Sequence, residues 1–444
     1  MTPFRRLWLA QSVSVLGDFV AVFAVQVAVT FRMHGSPRDM AGVFIAGLIP
    51  GIILGPIAGM FADRWDRGWN PRRIMIASDL ARAVLVLLLV FAGSLREIYA
   101  ISFAISCVSS FFNPAQAITL PLLVPRERLL AAIARMQQSM QVVRIASPAV
   151  ASALVSWWGE RACYWADSGS FIFSAILLST LRYARPAPPA CTAIPKRTAA
   201  IWSELAHGVR FLFRDPRFSP VILSMTMGTF AAGCFASLAS LYVRDVLHRG
   251  PSVLATISSL IGAGTVAGSA MLSRHSRKCD PQLLIPLGMT GVGASILLFA
   301  CVPHPATAYI GSVTMGLAVA VVMVAATALL QGETPAALRG RVSGASASLA
   351  ALAQLSAMLL AGTWAAWIGI RGVFLVSAAL LFATAANGFV RRLKLDELHL
   401  AALRSDAPQV VDLSQVIVEM PVQVNQKLRG GELAAEDLLR KRAA

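Results

Sequence analysis

Apolar runs of about 20 residues, the length of helix that crosses a bilayer core, recur along this chain and are separated by short charged turns. They predict membrane helices near residues 7–31, 40–62, 73–93, 97–119, 134–157 and 163–182. A second set follows near 217–243, 252–273, 281–302, 306–330, 342–368 and 371–390. The expected architecture is therefore an all-α polytopic membrane protein with 12 transmembrane helices in two six-helix bundles. Residues 1–182 and 217–391 form the bundles. Residues 183–216 form a linker, Pro-rich and then amphipathic from Ile201 to Phe213, which suits the membrane surface. Residues 392–444 form a polar tail. The turn between the second and third runs, with Gly59, Asp63, Arg64, Arg67, Arg72 and Arg73, is too charged for hydrocarbon.

Composition agrees with that pattern. Of 444 residues, 57% are hydrophobic and only 14% charged, and the mean hydropathy is +0.67, outside the range of soluble globular domains. The net charge of +17 would suggest nucleic acid if it lay on one face. It is distributed among loops instead, so nucleic acid is not an expected partner. Basic residues concentrate at the chain start and in the even-numbered loops, which puts both termini, the Asp63 turn and the linker on the cytoplasmic side. The pairs Trp157–Trp158 and Tyr164–Trp165 suit an aromatic belt at the opposite interface. The six cysteines show no CxxC spacing, so neither a metal site nor a disulfide framework is expected. No P-loop, HExxH or nucleophile elbow is present. The chain reads as neither an enzyme nor a cofactor protein, and any transport would draw on an ion gradient.

Ionisable groups inside spans are costly and mark pairing, function or a water-filled path. Asp18 lies about 16 Å into the first helix at 1.5 Å per residue, with Gln11 and Ser14 on nearly its own face. Arg144 lies at a similar depth in the fifth helix, so an Asp18–Arg144 pair is expected. Gln137, Gln141 and Arg144 share a face that would line a polar cavity. Asp79 and Arg82, three residues apart, suit a pair along one face, and Arg82 also suits snorkelling toward the membrane edge. Asp167, near the start of the sixth run, suits a helix N-terminus. Asp18 reads either as a coupling or substrate residue or as half of a structural salt bridge. Asp63 reads either as a latch between bundles or as a turn that fixes orientation.

The halves resemble each other, as those of repeat-built transporters do. The second helix of each is Gly-rich, with Gly51, Gly55 and Gly59 in one and Gly262, Gly264 and Gly268 in the other, and each is followed by a basic turn. The second turn, Arg274 to Lys278, lacks a counterpart of Asp63. The Pro125–Arg128 loop is echoed by Thr334–Pro335 with Arg339 and Arg341.

At these residues the chain resembles the major facilitator superfamily of secondary transporters, whose signature Gly59, Asp63, Arg64, Arg67, Arg72 and Arg73 match. Within it, Gln11 to Asp18, Asp63 to Arg67, Phe112 to Ala115, Asp167, Gly208 to Pro216 and Thr334 to Arg341 resemble the branch of bacterial enterobactin exporters and macrolide efflux pumps. The Gly-Pro motif associated with proton antiport is only half matched, by Val143 to Ser152 with small residues in place of glycines.

The resemblance implies a monomer in the bacterial cytoplasmic membrane, exporting an amphipathic small molecule such as a siderophore, a macrolide or another drug, with protons as the coupling ion. Two other readings stay open at this level. One is a lysophospholipid or lipid transporter of the same fold. The other is a membrane scaffold that binds without transporting.

Overall fold

The computed structural model describes residues 2–64, 70–181, 219–275, 280–333 and 339–405. The expected linker helix at 201–213, Arg67 and the tail beyond residue 405 lie outside them. Two compact units are present, Met1–Phe389 and Val390–Ala444. The second, described as far as Ser405, is helical.

No strand occurs among the described residues. The helices of the first unit are α1 (Pro3–Val27), α2 (Pro37–Arg64), α3 (Pro71–Phe91), α4 (Leu95–Leu123), α5 (Arg126–Trp158) and α6 (Glu160–Ser179). Then come α7 (Ser219–Leu241), α8 (Pro251–His275), α9 (Pro281–Cys301) and α10 (Pro305–Glu333). The last helical run, Arg339–Ser405, is broken at Gly369, whose φ of 75° and ψ of 166° are not helical. It gives α11 (339–368) and, within the first unit, α12 (370–389). Nine helical runs among the described residues are long and apolar enough to cross a membrane. α5 and α6, with 33 and 20 residues, have the length but are not among those nine.

Local chemistry sets the helix starts where hydropathy does not. Thr2 accepts from the Arg5 N–H ahead of Pro3, and Ser94 and Glu97 form a capping box at α4, so orphan donors are met before the apolar stretch begins. α5 starts at Arg126, eight residues ahead of its apolar run, because a helix extends through polar turns that hydropathy does not score.

The expected repeat is visible in the backbone. α1 ends in a π-turn, Ala28–Arg32, and α7 in another, Tyr242–Val246. After each comes a histidine in the left-handed region, His34 (φ 51°) and His248 (φ 52°), and then a proline that opens the next helix. α3 and α9 both begin with a side-chain cap and proline, Asn70–Pro71 and Asp280–Pro281. α5 meets α6 at Gly159 (φ 79°, ψ 170°), and α11 meets α12 at Gly369 in almost the same conformation. A side chain at either site would be strained, which is why the same glycine joint recurs.

α1 packs on α5 and α6, α3 on α4 and α6, and α2 on α4, while α8 and α9 pack on α10. α5 against α8 and α2 against α7 connect the two sets. The α8–α10 crossing is close. A Cβ on Gly264 would meet the Val313 carbonyl and Gly316 Cα, and one on Gly268 would come within 2.9 Å of Ala320 Cβ. These glycines thus serve helix packing. Gly47, Gly51 and Gly55 of α2 have nothing within 4 Å of an added Cβ.

Packing differs between the two ends. At the end carrying the α1–α2 and α7–α8 connections, one buried cluster runs through both halves, with Val20, Phe23, Met40, Val86 and Phe171 joined to Leu238, Tyr242, Phe299, Ala361 and Phe374. At the opposite end there are two clusters. Leu7, Met75, Phe112 and Leu178 belong to the first half, and Val221, Ile285, Leu329 and Val342 to the second.

Candidate functional site

The intramembrane charges with buried contacts gather in the first half, between α1, α3, α4 and α6. Arg82 is at the centre and only 5% exposed. One of its nitrogens, Nη2, donates to Asp79 Oδ1, one helical turn earlier on α3. The other, Nη1, faces Asp18 Oδ2 on α1 at 3.8 Å. Its planar cation lies between the rings of Phe112 and Phe171, 4.6 and 4.3 Å from their centroids. Two aromatic faces and two carboxylates make this burial tolerable for a guanidinium.

Asp167 completes the group from α6. It is 1% exposed, and Ser170 Oγ donates to its main-chain oxygen at 2.7 Å and to Oδ1 at 3.2 Å. Gly17 allows the approach of α1 to α6, since a Cβ there would collide with Asp167 Oδ1 and Ser170 Oγ. Two carboxylates therefore flank one guanidinium, and a third carboxyl group, Asp167, packs against Gly17, the neighbour of Asp18. Asp79 and Asp167 are sealed, whereas the Asp18 side chain is 37% exposed. Ser174 lies beside Asp79 as a further polar neighbour, and among the described residues Arg82 Nε is buried without a hydrogen bond. A polar network left incomplete inside a protein costs stability and is a mark of function.

Several expectations change here. The partner of Asp18 is Arg82, and no ion pair to Arg144 is present among the described residues. Arg144 and Gln137 are exposed on α5, Ser14 is buried, and Gln11 is half-buried. The Gln141 side chain lies outside the described residues. Arg82 does not snorkel, because Asp79 and the two rings hold it inside. Asp167 is not at a helix N-terminus: α6 begins at Glu160 after Gly159, leaving Asp167 two turns inside the helix. Sequence reasoning missed Gly17, Ser170, Phe112 and Phe171 as partners, though Phe112 and Gly17 lie inside motifs it had singled out.

The Gly59 to Arg73 turn is only partly described. The side chains of Gly59, Asp63 and Arg64 lie outside the described residues, as do those of Arg339 and Arg341. Arg73 is exposed. Arg72 donates from Nη1 to the Leu181 carbonyl at 2.8 Å and from Nη2 to the Ser179 carbonyl. Arg6 donates to the Thr180 carbonyl at 2.7 Å. Two cations thus cap the carbonyl end of α6, where orphan acceptors and the helix dipole favour positive charge.

The matching family model is the Major Facilitator Superfamily, over residues 7–355, and the chain belongs to that family of membrane transporters. Among curated relatives, it is 29% identical to the uncharacterized MFS-type transporter YfiS of Bacillus subtilis (strain 168), over 84% of this chain and 89% of that one. It is 25% identical to macrolide efflux protein A of Streptococcus pyogenes, over 86% and 94%. The crystal structure of the nucleoside transporter NupG shares the fold, with a TM-score of 0.66 at 11% identity over 88% of this chain and 99% of that one.

Proposed function

We propose that this chain is a proton-driven exporter of an amphipathic small molecule, of the siderophore, macrolide or other drug class, working by alternating access in the bacterial cytoplasmic membrane. The observation that carries the proton coupling is the grouping of three carboxyls with one guanidinium: Asp18 and Asp79 lie on Arg82, and Asp167 packs against Gly17 beside Asp18. One cation neutralises one carboxylate, and the remaining negative charge inside a low-dielectric bundle calls for protons. Asp18, half-buried while its neighbours are sealed, is the group through which a proton enters and leaves. Movement of that proton changes the pull of α1 on α3 and thereby biases how the helices pack. Packing that is shared at one end and separate at the other supports alternating access, in which the two bundles part at one side at a time. The name of the macrolide efflux relative supports export as the direction of flux.

The Asp63 turn with Gly59, Arg64, Arg67, Arg72 and Arg73 is read as the cytoplasmic gate at the separate end. Arg72 serves it by fixing the end of α6.

Everted membrane vesicles loaded with purified protein test the coupling. With an acidic lumen, wild type accumulates a fluorescent macrolide, and Asp18→Asn loses the dependence on the pH gradient. Gradient-dependent accumulation that survives in Asp18→Asn removes Asp18 from the coupling role. A thermal-shift screen against siderophores, macrolides and lysolipids identifies the substrate class, since a ligand that binds only the folded state raises the midpoint.

A further inference from the structure

The end of the bundle where the halves share a core also carries a polar fastening of unusual construction. Arg244, in the π-turn after α7, reaches across to the first half and donates from Nη1 to the Thr30 carbonyl at 2.6 Å and to the Gly35 carbonyl at 3.1 Å. Its other edge is held by its own neighbour, with Nε 2.5 Å from Asp245 Oδ1 and Nη2 2.9 Å from Asp245 Oδ2. Beneath this contact Thr30 Oγ1 donates to Ser240 Oγ at 2.9 Å, and both residues are sealed from solvent. Beside it Gly362 of α11 lies so close to α2 that an added Cβ would come within 3.0 Å of the Pro37 carbonyl.

The acceptor is prepared by the π-turn. Met33 N–H bonds the Ala28 carbonyl and Gly35 N–H the Val29 carbonyl, so the wider winding passes over Thr30. Its carbonyl takes no main-chain donor among the described residues, and such an orphan needs a partner from elsewhere. The repeat supplies the partner's position. Aligning His34 with His248 and Pro37 with Pro251 makes Thr30 the counterpart of Arg244, so matching residues of the two halves meet each other.

We infer that Arg244 is a latch that holds this end closed and that its release accompanies opening on this side. The inference rests on the alternating-access reading but names a device that reading does not require. Its acceptors are main-chain oxygens, whose charge does not change with pH, so the latch is released by movement of α7 against α1 and not by titration. Asp245 keeps the guanidinium aimed when the acceptors leave, which lets the contact re-form.

Hydrogen–deuterium exchange of the full chain in lipid nanodiscs tests the latch without labels. In Arg244→Ala, segments 28–37 and 242–251 are expected to exchange at least about tenfold faster, the effect of losing the charge-assisted hydrogen bonds to Thr30 and Gly35. Segments 3–10 and 219–225 at the opposite end are expected to slow, because opening one side closes the other. Faster exchange at the first pair alone means local loosening and overturns the latch, as does no change at either end. If Arg244→Ala does not fold, Arg244→Lys, which keeps the charge but not the fork geometry, is read against the same two outcomes. A wild type that transports in vesicles while both ends stay unchanged in the variant sinks the latch alone. A wild type that transports none of the tested classes sinks the exporter reading whatever the exchange pattern.

Discussion

Arg82 on α3 stands 3.8 Å from Asp18 on α1 while bonding Asp79 on its own helix, so one guanidinium is divided between a sealed carboxylate and an open one. The division decides what each residue contributes. Asp79 holds the cation in place, and under the proposed coupling the pairing with Asp18 is the part that changes during a cycle.

Removing the cation should therefore harm the protein more than removing the pair. Arg82→Gln leaves Asp79 buried and unpaired, a defect worth about 3–5 kcal/mol where a partner is lost from a buried pair. The double variant Asp79→Asn with Arg82→Gln is expected to recover much of the lost thermal stability in detergent. A double variant that melts below Arg82→Gln would mean that Asp79 is not what makes the single change costly.

Gly17 gives a steric test of the same site. Gly17→Ala places a methyl where Asp167 Oδ1 and Ser170 Oγ now lie, forcing α1 away from α6 at a cost of about 1–3 kcal/mol. Gly51→Ala on α2, with open space around its Cβ, is the control and should leave the melting midpoint unchanged. Equal midpoints for the two variants would show that α1 and α6 do not need this close approach.

Much of the fold was legible because membrane helices announce themselves. A span must be long and apolar, and each helix from α1 to α12 falls on one of the apolar runs. Helix starts were less legible, since Pro3, Arg126 and Glu160 begin helices in polar turns that a hydropathy reading passes over. The site was legible in its members and not in its partners. Asp18, Asp79, Arg82 and Asp167 stand out as charges in apolar runs, and Asp79–Arg82 follows from helical spacing alone. Depth along two helices cannot tell which faces meet, and that is why Arg144 was expected where Arg82 is found. Nothing in the local sequence identified Arg244 as a cross-half contact, because its acceptors are main-chain oxygens and carry no side-chain signature.

The cations at the end of α6 make a third prediction. Arg72→Ala frees the Leu181 and Ser179 carbonyls, and Arg6→Ala frees that of Thr180. Each loss removes about 1 kcal/mol of favourable charge at a helix C-terminus. Hydrogen exchange should rise in the last turn of α6 in each variant, and more in the double variant. Unchanged exchange there would assign Arg72 to the neighbouring charged turn instead of to α6.

The two glycine joints allow the repeat itself to be tested. Gly159 and Gly369 share a backbone region that is nearly closed to other residues, and nothing lies within 4 Å of an added Cβ at either. Any cost of Gly159→Ala or Gly369→Ala therefore comes from the backbone and not from collision, and should be about 1–3 kcal/mol at both. Equal losses of thermal stability would show that the α5–α6 and α11–α12 joints are the same structural element in two copies. D-alanine, which tolerates positive φ, offers the converse experiment at Gly369 by semisynthesis and should restore stability. A joint at which L-alanine costs nothing has a different backbone from its counterpart, and the repeat would then end before its last pair of helices.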